Sequence, residues 1–364
     1  MRREAAPILI VGGGPAGSTA AITLARSGAR PLLLERQRET GDALCGGFLS
    51  WATLDRLERL GIGAEALNPA PTTRVRLFAR GRTAETPLPR PARCVSRRRL
   101  DGLLLAAAEA AGAQVERGVT VRAAEDTVRL DDGAELRPET LFLASGKHDV
   151  RGLARPVAAR GDDPMLGLRV RIVAAPGLTR AVGEAIELHL FDRGYCGVAL
   201  HEDGSANACL AVHRSRLNEA GDPEALLAAL GEECPELGER LAYRTGDEPV
   251  DAVANVPYGW REREGRCGLF RLGDQAGVIP SLAGEGMGIA IASGASAAES
   301  LLRGGESAAA EWQRSFARKL AGPIGLARAI ATLSERAATA SALVALARLA
   351  PPLVHLAARL TRVR

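Results

Sequence analysis

Residues 7–35, PILIVGGGPAGSTAAITLARSGARPLLLE, constrain the fold more than any other stretch of the chain. An apolar run reaches Gly12, a glycine-rich turn opens an alanine-rich helix, Ser27-Gly28 stops it, and a second apolar run ends on Glu35. Strand, helix and strand in that order make one βαβ unit. Gly12, Gly14 and Gly17 stand at G-x-G-x-x-G spacing. In that context Gly12 makes the tight turn, Gly14 lets the backbone approach a pyrophosphate, and Gly17 packs helix on strand. Pro15 and Ala16 lie in the first turn, where unpaired N–H groups attract phosphate. Glu35, followed by Arg36, is placed to accept hydrogen bonds from both hydroxyls of an adenosine ribose and would repel a 2′-phosphate. This stretch predicts a Rossmann-type α/β unit holding a dinucleotide and does not separate FAD from NAD.

With 364 residues, 46% of them apolar, the chain can bury a sizeable core and is long enough for two compact units. The formal charge is +4, and the basic excess is arginine scattered along the chain. Aromatic residues are 3% of the total, so few rings are present on which bases could stack. No nucleic-acid partner is expected. Six cysteines, Cys45, Cys94, Cys196, Cys209, Cys234 and Cys267, show no C-x-x-C pair and no metal-like spacing. They read as free thiols in a reducing cytoplasm, and residues 1–6 are too short and charged for a secretory signal.

Residues 269–300, LFRLGDQAGVIPSLAGEGMGIAIASGASAAES, run from a short apolar strand through Gly273-Asp274 to a glycine-rich turn that opens a helix at about Gly286. Together with the first motif, this segment resembles the second FAD motif of the flavoprotein superfamily that holds aromatic-ring monooxygenases, geranylgeranyl reductases and flavin-dependent halogenases. The resemblance implies FAD as cofactor, with Gly273 and Asp274 at a ribityl hydroxyl, Pro280 and Gly284 near the flavin ring, and the N–H groups of Gly286 and Met287 facing N1 and O2. A helix N-terminus there would stabilise the charge of a reduced flavin. The run Arg97-Arg98-Arg99-Leu100-Asp101 is similar to the superfamily's arginine ahead of an apolar-Asp pair. It implies Arg97 near the phosphates or ribityl chain and the backbone of Val119 near adenine, while Arg98 and Arg99 read as solvated. In LFLASGKHDVR, residues 141–151, Ser145 precedes Gly146 where aromatic hydroxylases carry an Asp, which argues against their manner of handling NADPH.

Ala43–Ser50, ALCGGFLS, is similar to the C-G-G-x-x-S segment of the geranylgeranyl reductase branch. That likeness implies Cys45, Gly46 and Gly47 beside the flavin face where substrate approaches, with Cys45 either a proton donor or a packed small residue. Residues 191–198, FDRGYCGV, stand where halogenases have a tryptophan-rich segment, and the tryptophans are missing, so halogenation is not expected.

Residues 164–213 alternate in period-2 stretches separated by turns and predict an antiparallel sheet with one buried face. By the resemblance this sheet roofs the flavin, its inward residues line the substrate cavity, and Tyr195 is the first candidate for substrate contact. Leu168, Val170 and Ile172 share one face and Arg169 and Arg171 the other; His189, His201 and His213 are expected toward solvent. From Ala308 the chain reads as helix, broken by Pro351-Pro352. Its longest uncharged run there, Ala337–Ala347, is too short to span a bilayer. Two readings stay open for these helices: a lid over the cavity, or a basic amphipathic surface making peripheral membrane contact.

The expected organisation is therefore a discontinuous FAD-binding domain (1–70, 93–155, 260–303), a β-sheet substrate domain (71–92, 156–259) and C-terminal helices (304–364). The expected activity is that of an FAD-dependent oxidoreductase on a hydrophobic small molecule, as monooxygenase or double-bond reductase. No second dinucleotide motif is visible, so NADH or NADPH would bind transiently, or a separate reductase would supply electrons. A non-catalytic flavin-binding scaffold is the alternative.

Overall fold

A computed structural model describes residues 7–246 and 248–363. The expected charged lead at residues 1–6 and the arginine at 364 lie outside the described residues. The chain opens with β1 (Ile8–Val11), α1 (Pro15–Arg26) and β2 (Leu32–Glu35), then β3 (Phe48–Leu49), α2 (Trp51–Arg59), α3 (Ala64–Leu67) and the hairpin β4 (Thr72–Ala79) and β5 (Arg82–Cys94). Next come α4 (Arg97–Ala110), β6 (Gln114–Arg117), β7 (Val121–Ala124), β8 (Val128–Leu130), β9 (Glu135–Leu136) and β10 (Thr140–Leu143). The sheet half follows with β11 (Met165–Ile172), α5 (Pro176–Val182), β12 (Ala185–Phe191), β13 (Gly194–Leu200), β14 (Ala206–His213), α6 (Arg214–Ala220), α7 (Pro223–Glu233), α8 (Pro235–Leu241) and β15 (Asp251–Val256). The chain then returns through β16 (Leu269–Arg271) to α9 (Gly286–Gly304), α10 (Ala308–Ser334), α11 (Ala337–Leu349) and α12 (Pro351–Leu360).

Five strands form a parallel sheet in the order β16-β10-β1-β2-β6. Strands β1, β2 and β10 read as continuous apolar runs because helices cover one face and the small β7-β8-β9 sheet the other. The order turns back at β1, so ligands are expected at the carboxyl ends of β1 and β10, where Gly12–Gly17 and Ser145–Lys147 lie. Helices α1 and α9 pack so closely that a Cβ on Gly294 would collide with the Ala16 carbonyl oxygen.

The second sheet has eight strands, β15-β11-β14-β13-β12-β4-β5-β3. All of its pairings are antiparallel except β12 with β4, which are parallel because the chain leaves after β5 and re-enters from the same end. Both faces of the β11–β14 part of this sheet are buried, and that overturns two expectations. Leu168, Val170 and Ile172 face away from the flavin-motif loops and pack with Leu226, Leu230 and Leu237 of α7 and α8. The face turned toward those loops carries Arg169, Tyr195 and Ala211, part of it covered by Ala340, Val344 and Ala347 of α11. His189 and His201, expected in solvent, are 0% and 5% exposed. His189 stacks on Phe78 at 4.6 Å under the helical layer, and His201 lies against Gly47. His213 is partly exposed and bridges Asp163 and Glu335.

Candidate active site

Three short segments meet at the carboxyl end of the parallel sheet. α1 starts on Gly14 with no side-chain cap, no acid in its first turn and Pro15 at its opening, so its N–H groups are open to an anion. Gly17 touches the turn behind it: a Cβ there would collide with the Gly12 carbonyl oxygen. Glu35 takes one backbone N–H on each carboxylate oxygen, from Gly13 at 2.7 Å and Gln37 at 2.9 Å, which fixes the carboxylate and leaves lone pairs for further donors. The Val119 N–H donates to the Glu35 carbonyl at 3.0 Å, so Val119 closes the same end of the site. Arg36 reaches across to His148 at 3.0 Å.

Arg97 enters from the first turn of α4, which Ser96 caps. Its guanidinium forms a bidentate pair with Asp101, at 2.9 and 2.7 Å, and passes beside Gly14. Burial alone would lower the Arg97 pKa, and the Asp101 carboxylate outweighs it, so the group stays charged. The charged Arg97 guanidinium, paired with Asp101, thus stands next to the uncapped helix start.

Gly273 lies against Ala16 and is held by the Ser293 hydroxyl at 2.9 Å, so Asp274 and the start of α1 are neighbours in space. The Lys147 ammonium is 3.5 Å from the Asp274 carboxylate, which raises its pKa. The Gly146 carbonyl accepts from the buried Gln275 amide at 2.9 Å, tying the 145–149 loop to the same turn. Beside it opens a cavity of about 200 Å³ lined by Lys147, His148, Asp149, Arg155 and Arg160.

The glycine turn before α9 is built differently. Pro280 is buried, and the Ser281 hydroxyl that follows it meets the hydroxyls of Tyr195 at 2.5 Å and Tyr258 at 2.9 Å. Tyr195 also accepts the Leu282 N–H at 2.8 Å and is 3% exposed, so its hydroxyl is engaged by the turn itself. Gly284 presses on Phe48, Gly286 has open space where a Cβ would stand, and Met287 is buried. Glu285, fully buried, occupies the N-cap position of α9. Its carboxylate is held by Arg362 at 2.6 Å, the Ser50 hydroxyl at 3.1 Å and the Val363 N–H at 3.2 Å. Arg362 also donates to the carbonyls of Ala283 at 2.9 Å and Gly284 at 3.0 Å.

The Cys45–Gly47 turn completes the assembly. Gly47 has φ +76°, and a Cβ on it would press the Val95 carbonyl at 2.5 Å and His201 Nε2 at 2.7 Å, so only glycine fits. Asn207 donates to the Cys45 carbonyl at 3.3 Å, and Gly46 passes over Cys209. Arg169 pins the preceding residues, donating to the carbonyls of Asp42 at 2.7 Å and Ala43 at 3.0 Å and pairing with the carboxylates of Asp42 and Asp251. Asp42 also accepts the Arg97 N–H at 2.9 Å, which joins this turn to α4.

Of the predicted residues, Gly14, Glu35, Arg97, Val119 and Gly273 meet around the start of α1, and Gly47 and Gly284 flank Phe48. Glu285 and Arg362 carry no site motif in the sequence, and Arg169 reads there only as one face of a strand. Glu285–Arg362 is 77 residues apart with no spacing rule to signal it; the only hint was a lone acid inside a glycine-rich turn. Two open or glycine-hinged helix starts, a fixed ribose-side carboxylate and a buried cation beside the first start suit FAD, and they define the class as a Rossmann-type flavoprotein.

Comparisons with known proteins agree. Residues 5–151 match the family of FAD binding domains. A menaquinone reductase of Mycolicibacterium smegmatis is 27% identical over 322 residues, covering 82% of this chain and 77% of the relative. Digeranylgeranylglycerophospholipid reductase 2 of Methanopyrus kandleri is 29% identical over 314 residues, covering 80% and 76%. Among solved structures, PqsL of Pseudomonas aeruginosa, a probable FAD-dependent monooxygenase, superposes with TM-score 0.70 at 22% identity over 92% of this chain and 98% of that one. The halogenase PltM, solved with phloroglucinol and FAD, gives 0.74 at 14% identity, covering 91% and 76%, a likeness of fold. The chain is thus an FAD-dependent oxidoreductase with an FAD binding domain over residues 5–151, similar over most of its length to two proteins named as reductases and in fold to a probable FAD-dependent monooxygenase.

Proposed function

We propose that this oxidoreductase reduces a carbon–carbon double bond in a hydrophobic, isoprenoid-like or lipid-like small molecule, with NADH or NADPH as transient reductant. The observation that carries the reading is the Cys45–Gly47 turn, fixed by Arg169 and Asn207 and set against Gly284 through Phe48. The two relatives matched over most of the chain, both named as reductases, support it.

In this reading bound FAD supplies hydride transfer to and from carbon. Gly14 and the first turn of α1 hold its pyrophosphate, Arg97 balances the charge, and Glu35 and Val119 hold the adenosine end. Asp274 and Gly273 hold the ribityl chain. Pro280, Gly284, Gly286 and Met287 would hold the ring, with the N–H groups at the start of α9 available to negative charge there. Cys45, partly buried, with its Sγ accepting the Gly47 N–H at 3.4 Å, would donate the proton that the reduced carbon takes up. Tyr195 acts by fixing the 281–283 turn.

Hydroxylation is the second reading, favoured by the shared fold with PqsL. Anaerobic mixing with NADH and with NADPH, followed by turnover of isoprenoid substrates with oxygen uptake and product mass recorded, separates them. A gain of two hydrogens without oxygen uptake is expected, and a gain of one oxygen atom would replace reduction by hydroxylation. Flavin that stays oxidised with both nucleotides and with cellular reductases would point to a non-catalytic scaffold.

A further inference from the structure

Nine large hydrophobic side chains stand exposed among the described residues, and five of them, Leu346, Leu349, Leu353, Leu356 and Leu360, fall within one short stretch around the α11–α12 corner. Leu349, at the corner, is 82% exposed. Leu346 and Leu349 are three apart on α11; Leu353, Leu356 and Leu360 follow i, i+3, i+7 on α12, so each helix presents one apolar stripe. These are not the unused sides of detached helices. The opposite side of α11 is buried through Ala340, Val344 and Ala347 against Tyr195, Leu190 and Ala211. α12 is fastened by His355 to the Pro87 carbonyl at 2.7 Å, and Arg362 just beyond it by Glu285.

The charge along α11 and α12 themselves has one sign. From Arg336 to Val363 the chain contains no Asp or Glu. Arg362 is neutralised by Glu285, whereas Arg336, Arg348 and Arg359 are exposed and make no ion pair among the described residues. A second copy of the chain docked on this face would bring like charges together. A lipid surface with anionic headgroups offers acyl chains to the leucines and countercharge to the arginines. No single helix is long and apolar enough to cross a membrane, and α10 and α11 meet at 113°.

We propose that the α11–α12 corner rests on an anionic lipid bilayer. The inner side of α11 covers Tyr195 while its outer side lies in the interface, so the lid and membrane readings of these helices describe one device. Resting on the proposed hydrophobic substrate, the same seating would let substrate reach the site without crossing water.

The test uses the full chain loaded with FAD and sucrose-filled vesicles of phosphatidylcholine alone or mixed equally with phosphatidylglycerol. Sedimentation with the mixed vesicles and not the neutral ones is expected. L349S/L353S/L356S should weaken that binding by about tenfold or more, and R348Q/R359Q should lower it and flatten its salt dependence. Unchanged FAD content in both variants shows that the fold is intact. The proposal is overturned if the wild type stays in the supernatant, if both variants bind as it does, or if lipid-free ultracentrifugation shows a dimer that the leucine variant dissolves. Because binding is read without turnover, failure here leaves the proposed reaction standing, and a failed reaction leaves vesicle binding to be judged by itself.

Discussion

The starts of α1 and α9 are assigned opposite ends of one cofactor, yet they are built in different ways. α1 opens on Gly14 with nothing to cap it and no acid in its first turn, and the turn, helix and fixing carboxylate all lie within residues 7–35, with Leu105, Arg97, Ala144 and Gly273 packed against them. α9 opens on a buried carboxylate, Glu285, which is tolerable only because Ser50, Arg362 and the Val363 N–H reach it from distant parts of the chain. The first start is built mainly from one continuous stretch of chain. The second is assembled from separate segments, and its shape depends on the residues that follow the last C-terminal helix being seated.

That contrast can be broken most severely at Arg362. Arg362→Met leaves Glu285 buried without its partner and removes the cation over Trp51, and breaking a buried pair in this way costs about 3–5 kcal/mol. Thermal unfolding should fall sharply and flavin should be released, while Arg362→Lys recovers part of both. An unchanged melting point would show that the second start does not need its distant support.

Acid loosens the sheet that carries Tyr195. Burial alone would raise the Glu187 carboxyl, but contact with His189 and hydrogen bonds from Arg240 outweigh it and hold the pKa at about 2. A depressed carboxyl pKa stabilises the fold fully above its unfolded value near 4.5, and that contribution is lost as pH falls through about 2. The whole contribution is on the order of 3 kcal/mol. Unfolding midpoints taken from about pH 6 down to about pH 3 should fall more steeply in the wild type than in Glu187→Gln; parallel slopes would contradict the assignment.

Gly17→Ala strikes the local start instead. The added methyl collides with the Gly12 carbonyl, an overpacking that costs about 1–3 kcal/mol, and FAD affinity should fall with it. Titration with FAD and a melting curve check both, and a variant binding FAD like wild type would show the close approach to be dispensable. Ser96→Ala, which removes the α4 cap and its contact with Glu202, should cost only about 1 kcal/mol and leave the protein yellow.

The same contrast explains what could be read from the chain alone. Gly12, Gly14, Gly17 and Glu35 were legible because turn, helix start and strand end are consecutive. Gly273 to Met287 became legible through family resemblance. The strands of the second sheet were visible in their alternation, but alternation reports one covered face and says nothing of a second layer. His189 and His201 were therefore expected outside, whereas α5–α8 and the flavin-motif loops cover both sides. Asp42, Arg169 and Asp251, which hold the Cys45–Gly47 turn, come from three segments and share no periodicity.

The central claim is that two helix starts serve a single cofactor, and ligand affinity measures it directly. FAD and ADP are titrated into apoprotein by calorimetry, ADP reporting on the α1 start alone. One FAD should bind per chain, far more tightly than ADP. Equal affinity for the two would mean that the α9 start contributes nothing, and the account would be wrong.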